Sequence, residues 1–491
     1  MDYFRHHEGR LWCEDVPLDR LALEVGTPAY VYSKRTVVEH VRKIREAFAE
    51  FDPLVCFALK SNGNLALLDV VRREGCGFDV VSGGELRRVR AVGAKPSSVV
   101  FAGVGKTVAE MEEAIEAGIL FFNVESEEEV EVLARTAARL GTRAGVAIRL
   151  NPDVDPKTHT YISTGKKESK FGVDIERGEA LARRVLALPS LELRGLQCHI
   201  GSQLTSVAPY VEALARCVAL ATKIRADAPS LRWLDMGGGF GIYYKDDVAP
   251  PIDAYAKAVA PVLRGTGLRL VLEPGRVIVG NAGVLLTRVL YRKISGDKRF
   301  VIVDAGMNDL IRPSLYGSYH RIWPVLGDAP PPLGTEADLP LHDIVGPVCE
   351  SGDFLAKDRP FPPDTKAGDL LAVMSAGAYG FVMASQYNAR PRPPEILVDG
   401  VKYAVARRRE TYDDLVRGET ARPPWARVGG PAALKATAAP SGDLKGARKG
   451  TGLRKGKGGG KGKAPTAGKK ESAAPKPVAR KSASSKSRRS P

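Results

Sequence analysis

No stretch of the 491 residues approaches the roughly 18 consecutive apolar positions that a membrane-spanning helix needs. The opening Met1-Asp2-Tyr3-Phe4-Arg5-His6-His7 has no apolar core of the kind a secretory leader carries. The six cysteines (Cys13, Cys56, Cys76, Cys198, Cys217 and Cys349) include no C-x-x-C pair and no zinc-ligand spacing. That excludes the common metal-finger patterns and argues for reduced thiols over a disulfide framework. These absences lead to the expectation of a soluble, cytoplasmic protein with no structural metal.

Acidic charge is missing from one end. The net charge is +16, yet residues 441–491 hold 16 Lys/Arg and only 2 Asp/Glu, so the rest of the chain is close to neutral. From about Gly429 onward the chain is Lys, Ala, Gly, Ser and Pro with almost no large apolar side chains. Such a segment cannot bury enough surface to fold alone and is expected to be disordered. As a basic arm it suits nonspecific contact with polyanions through counterion release; as a solvated extension it has no part in chemistry.

What is abundant is alternation. Short apolar runs at 55–59, 78–82, 98–102, 120–124, 145–150, 193–199, 231–236 and 268–272 are separated by stretches of helical spacing, among them 65–73, 85–92, 108–117, 127–140, 179–188 and 210–226. Eight strands alternating with helices match a closed (β/α)8 barrel. No G-x-G-x-x-G follows the first run, which disfavours the doubly wound alternative. After about Val277 the strand-like runs are separated by Pro- and Gly-rich loops, reading as a mostly β domain. The expected organisation is therefore α/β: N-terminal strands over 1–30 that pack with the β domain, a barrel over 31–280, the β domain over 281–428 and the tail over 429–491.

In a barrel, chemistry gathers at the C-terminal strand ends. Lys60 ends the first run, His199 the sixth, Asp235-Met236-Gly237-Gly238-Gly239 the seventh and Glu273-Pro274-Gly275-Arg276 the eighth. A lone strand-end lysine ordinarily runs its charge out to water. In this company it has another use. Three consecutive glycines let backbone N–H groups crowd a phosphate, and Ser202 can add a hydroxyl. His199 offers a flat ring, Glu273 a carboxylate for a pyridinium nitrogen, and Lys60 an amine for a Schiff base. Together these suit pyridoxal 5'-phosphate; another phosphate ligand would explain the glycines but not the Lys60 and Glu273 pair.

The segments FALKSN (57–62), GFDVVSGGEL (77–86), NPDVDPKTHTYISTGKKESKFG (151–172), HIGSQ (199–203), DMGGGFG (235–241), EPGR (273–276), DAGMNDLIRPSLYGSYH (304–320), GPVCESGD (346–353) and GAYGFVMASQYNARPRP (377–393) carry a resemblance. Over about residues 10 to 425 the chain resembles the diaminopimelate decarboxylases, pyridoxal-phosphate enzymes of the alanine-racemase-like barrel fold. The resemblance implies that Lys60 holds the cofactor and that Gly237, Gly238, Gly239, Glu273, Pro274, Gly275, Arg276 and Tyr379 bind it. It implies that Arg276, Arg312 and Tyr316 take a substrate carboxylate, that Glu350 takes the distal amino group and that Tyr379 also touches substrate. Cys349 is implied as proton donor, with Cys349 and Glu350 supplied across a homodimer interface.

The implied reaction is decarboxylation of meso-2,6-diaminopimelate, an amino acid with two amines and two carboxylates, to L-lysine and CO2, the last step of lysine biosynthesis. Arginine forks suit the carboxylates, and a carboxylate such as Glu350 suits an ammonium. Rivals on the same fold are an ornithine-, arginine- or carboxynorspermidine-type decarboxylase, which usually carries Asp where this chain has Glu350, and an amino-acid racemase using Tyr316 or Tyr379 as second base. A noncatalytic polyanion-binding protein leaves the strand-end residues unexplained.

Overall fold

The computed structural model of the chain describes residues 3–154, 170–245, 249–331, 335, 338–423 and 425. The tail expected to be disordered from 429, and the middle of the 151–172 motif, lie outside the described residues. Residues 3–419 fall in one compact unit.

Eight parallel strands form the barrel: Leu54–Ala58, Gly77–Val80, Val99–Phe101, Phe121–Val124, Ala144–Asn151, Leu191–Cys198, Trp233–Asp235 and Arg269–Leu272. All eight runs read from the sequence are strands, with small differences at their ends. The sheet closes because the eighth strand pairs with the first, Val271 opposite Leu54 and Leu272 opposite Val55. The intervening helices include Leu65–Arg73, Gly83–Ala91, Val108–Ala117, Glu127–Arg139, Ile175–Leu186 and Ala208–Ile224. Helices Lys34–Ala47 and Ile252–Leu263 complete the ring and had not been singled out in the sequence. Many of them start at a side chain that satisfies an orphan N–H: Ser33, Asn64, Ser82, Thr107 and Ser126 each accept from the first turn.

The period of two along each strand sorts the barrel into layers. Phe57, Phe78, Phe101, Phe122, Val146 and Leu196 face outward into the main core beneath the helices. Cys56, Val100, Phe121, Ala147 and Val271 form a separate apolar cluster inside the barrel. Above this floor the inward positions turn polar: Asp79, Asn123, Arg149, Gln197, Asp235 and Glu273 are all buried near the C-terminal strand ends.

The β domain is organised around the long strand Gly283–Ser295. It pairs antiparallel with Ala29–Ser33, Leu370–Val373 and Lys298–Val303, while Glu395–Asp399 pairs parallel with Ala29–Ser33. The strand at Tyr30-Val31-Tyr32 thus lies inside the C-terminal sheet. The N-terminal segment is not all strand, however: Leu18–Val25 is a helix whose Leu18, Leu21 and Ala22 are buried, the i, i+3, i+4 stripe of an amphipathic turn.

A backbone seam joins this domain to the barrel mouth. Gly377 N–H donates to Gly280 O at 3.1 Å, Tyr379 N–H to Ser61 O at 2.8 Å, and the Asn62 amide to Gly377 O at 3.0 Å. Gly377 is glycine for lack of room, since a Cβ there would lie 1.9 Å from Val279 O. Gly377→Ala should force the seam apart, costing about 1–3 kcal/mol of stability and lowering activity. The denaturant midpoint of the variant, measured beside its turnover, checks this; an unchanged midpoint contradicts the seam.

Candidate active site

The first strand ends in a single 3-10 turn, Leu59–Ser61, which turns Lys60 into the barrel mouth. Its Nζ lies 2.7 Å from Asp79 Oδ2, whose side chain is fully buried. Burial works against the ammonium, but Asp79 and then Glu273 more than offset it, and Lys60 titrates above the ordinary lysine range.

Beyond Lys60 lies a second, tighter set. Glu273 accepts from the Asn123 amide at 3.1 Å and from the Gln197 amide at 3.3 Å. The same Asn123 nitrogen reaches Asp235 at 3.4 Å, so one amide bridges two buried carboxyl groups. Burial pushes both upward; the charges of Asp235 and Asp79 raise Glu273 further, to well above the usual range, whereas Asp235, eased by its hydrogen bonding to Glu273 and Gly237, rises to about 7. A proton held on Glu273 relieves the repulsion between them.

His199 is half-buried at the surface of the cavity, and its pKa is pushed well down, first by desolvation and then by the cations Arg149 and Lys60. Its Nδ1 accepts the Gly238 N–H at 3.2 Å, which places the remaining proton on Nε2 and keeps the ring neutral. The Gly237 N–H likewise donates to Asp235 at 2.9 Å. Two of the three glycine donors expected for a phosphate are therefore already engaged, and Gly239 is the one of the three that lines the cavity. The run is glycine for steric reasons as well. A Cβ at Gly238 would sit 2.1 Å from Glu273 O, and one at Gly239, where φ is +97°, 2.2 Å from Gly201 O.

Lys60, His199, Ser202, Gly239, Glu273, Gly275, Arg276 and Tyr379 line one cavity. Pro274 contributes through its backbone, its carbonyl accepting from Ala58 N–H at 3.1 Å. Tyr379 has a left-handed φ of 56°, a costly conformation for a non-glycine residue, held by its bond to Ser61. Arg276 donates to Ser202 at 3.1 Å and to the Tyr244 hydroxyl at 2.7 Å, and its guanidinium lies 4.8 Å from the Tyr379 ring. Arg312, buried at the start of the short helix Arg312–Tyr316, bonds to His320 at 2.8 Å and Ser318 at 3.2 Å. Tyr316 is half-buried on the same turn and acts electrostatically on Arg276.

Cys349 and Glu350 are placed differently. Both are exposed and neither lines this cavity. Their loop is held rigidly all the same: the buried Asp353 accepts from Met307 N–H and Val348 N–H, both at 2.6 Å, and Cys349 N–H donates to Asn388 at 2.7 Å.

Asp79, Asn123, Gln197, Tyr244 and His320 had not been picked out in the sequence, and Asp235 had been read only as the start of a glycine motif. For the strand residues the signal was available, since each is the polar inward position of an otherwise apolar run. The residues fit pyridoxal phosphate. Asp79 Oδ1, Asn123 Oδ1, Gln197 Oε1 and Arg276 Nε are buried without a partner, so unused polar atoms lie beside Lys60 and Glu273 and on the lining residue Arg276.

Residues 34–280 match the family described as "Pyridoxal-dependent decarboxylase, pyridoxal binding domain". The chain is 50% identical to a diaminopimelate decarboxylase of Pseudomonas aeruginosa over 86% of its own length and 100% of that relative. It is 48% identical to that of Vibrio cholerae, with 86% and 100% covered. Among solved structures it resembles diaminopimelate decarboxylase from Helicobacter pylori complexed with L-lysine, with TM-score 0.77 and 40% identity over 82% of this chain and 98% of that one.

The carboxyl pair has a measurable signature. The folded chain keeps protons on Glu273 and Asp235 that the unfolded chain releases above about pH 4. The protein stripped of cofactor should therefore lose stability as the pH climbs from about 4 to 7. Asp235→Asn, which can still accept from Gly237, should flatten that decline. Urea unfolding of both proteins at pH 5 and pH 7.5 checks it, and equal losses of stability would contradict proton uptake by Asp235.

Proposed function

The chain belongs to the diaminopimelate decarboxylases, and we infer that it converts meso-2,6-diaminopimelate to L-lysine and CO2, the last step of lysine biosynthesis, using pyridoxal phosphate. The observation that carries this reading is the placement of Lys60 and Glu273. They sit at the ends of adjacent strands that close the barrel, and they line one cavity with Ser202, Gly239 and Arg276. A base for an aldehyde, a carboxyl for a ring nitrogen and donors for a phosphate are thus spaced around a single small molecule.

When bound, the cofactor supplies an electron sink for the pair left behind as the carboxylate departs. Lys60 would hold its aldehyde carbon, and Asp79, 2.7 Å from Nζ, would be the counter-ion of the free ammonium. Glu273 would hold the proton of the ring nitrogen, and the buried Asn123 and Gln197 fix the orientation of its carboxyl group. Neutral His199, on the cavity lining, would face the ring without adding a competing positive charge. Arg276 and Arg312, with Tyr316 beside them, take the distal carboxylate; buried guanidiniums bind it through charge-assisted bonds. Tyr379 borders both ligands.

Protonation of the carbon that loses CO2 needs an acid on the cavity, and for this we look to a second subunit. Cys349 and Glu350 sit on a pinned, exposed loop and are not among the residues lining the cavity of their own chain. Exposed apolar side chains at Leu315, Val382 and Tyr387 lie on neighbouring functional loops. A homodimer in which the partner subunit's Cys349 donates the proton and the partner subunit's Glu350 takes the distal ammonium accounts for both. Free thiols suit a reducing cytoplasm. The basic tail we assign to polyanion contact outside catalysis, so deletion of residues 430–491 leaves turnover intact.

Lys60→Ala should abolish the absorbance of bound cofactor together with lysine and CO2 release. Product from ornithine in place of diaminopimelate would overturn the substrate. Mixing inactive Lys60→Ala and Cys349→Ala proteins should restore about a quarter of wild-type turnover, because half the dimers would be mixed and each would hold one intact site. No recovery after subunit exchange would place each site within one chain.

A further inference from the structure

Two guanidiniums converge at the rim of the cavity. Arg276 is 8% exposed and Arg312 5%, and among the described residues neither has a carboxylate within 4.0 Å. Buried cations without counter-ions are costly, and Arg276 Nε is itself buried without a partner. The group between them is a phenol, Tyr244. Its hydroxyl accepts from Arg276 at 2.7 Å, and its ring lies 4.9 Å from the Arg312 guanidinium and edge-on to His320 at 5.6 Å. Its neighbour Tyr243 is 50% exposed, so the turn after the seventh strand sends one tyrosine out and one in.

A tyrosine hydroxyl both accepts and donates. Among the described residues the Tyr244 oxygen is occupied as an acceptor from Arg276, and its own proton has no acceptor. The two arginines draw the phenol's pKa down against the effect of burial, which makes that O–H a better donor. We propose that Tyr244 is a third donor to the distal carboxylate of the substrate, completing with Arg276 and Arg312 a site that selects amino acids bearing a second carboxylate. The inference rests on the decarboxylase reading above and adds to it a specificity residue.

The ring and the hydroxyl have separable duties. The ring keeps two like charges apart and stacks one of them; the hydroxyl contacts the anion. Removing a donor to a charged group in a buried site weakens binding of the ligand that used it and leaves a ligand lacking that group unaffected. L-lysine, the product, retains the distal carboxylate, and cadaverine is the same diamine without it.

The test uses holoenzyme of wild type and Tyr244→Phe. The expected result is a KM for meso-diaminopimelate raised about tenfold or more, with kcat changed less than about threefold. Inhibition by L-lysine should weaken by the same factor and inhibition by cadaverine should not change. Equal weakening of both inhibitors would mark a merely structural role, and an unchanged KM would remove Tyr244 from the site. A fall in cofactor affinity with KM unchanged would assign the phenol to the phosphate instead; either outcome overturns the proposal. Tyr244→Leu, which also removes the ring, should show the same split between lysine and cadaverine, and it carries the test should the first variant not fold. Wild-type enzyme that forms no lysine would defeat the underlying reading, whereas an active wild type with an indifferent Tyr244→Phe defeats only this one.

Discussion

Three carboxyl groups, Asp79, Asp235 and Glu273, share the inside of one barrel with a single lysine, and the surroundings are arranged to make that tolerable. Asp79 pairs with Lys60. Asp235 and Glu273 are bridged by Asn123, with Gln197 and the Gly237 N–H satisfying other lone pairs. Such a cluster is expensive to bury and retains only what its hydrogen bonds return. The apolar floor of Cys56, Val100, Phe121, Ala147 and Val271 keeps water from below, so charge can be relieved only toward the mouth. The electrostatic pull on a pyridinium nitrogen follows from this arrangement more than from Glu273 alone.

The barrel was legible because its signal is redundant: eight apolar runs, each followed by a helical stretch, have few architectures open to them. Lys60, His199, Glu273 and the glycine run could be found because they end those runs. Asp79 was hidden inside the run Phe78-Asp79-Val80-Val81, where a reading tuned to apolar content passes over it, although strict alternation sends it inward between Phe78 and Val80. Tyr244 and His320 carried no periodic signal. One sits on a turn and the other in an irregular loop, and their placement depends on packing between segments far apart in the chain. The helix at Leu18–Val25 was missed for the opposite reason, being too short to show more than one turn of stripe.

The β domain contributes more than cover. Tyr379, Arg312 and the Cys349 loop all come from it, and each is fixed by backbone contacts. Tyr379 is tied to Ser61, and the loop is tied through Asp353 to Met307 and Val348. Gly306 and Gly346 approach Asp353 so closely that a Cβ at either would fall within 3.0 Å of its carboxyl oxygens. Rigidity of this kind suits residues that must meet a reacting group held by another element. It also explains why loops carry so much of the recognisable motif content here.

The glycine run deserves a last thought because of where its N–H groups go. Gly237 is tied to Asp235, on the ring side, and Gly238 to His199, on the ring face, while Gly239 turns toward the cavity. A segment tethered at one end to the groups that hold a ring, and presenting its other end to a phosphate, behaves as a gauge of fixed length. A vitamer with the right ring but a longer or shorter arm would have to bend the gauge, and Gly238, wedged against Glu273 O, leaves it nothing to bend into. The barrel is thus built to hold a cofactor of one length.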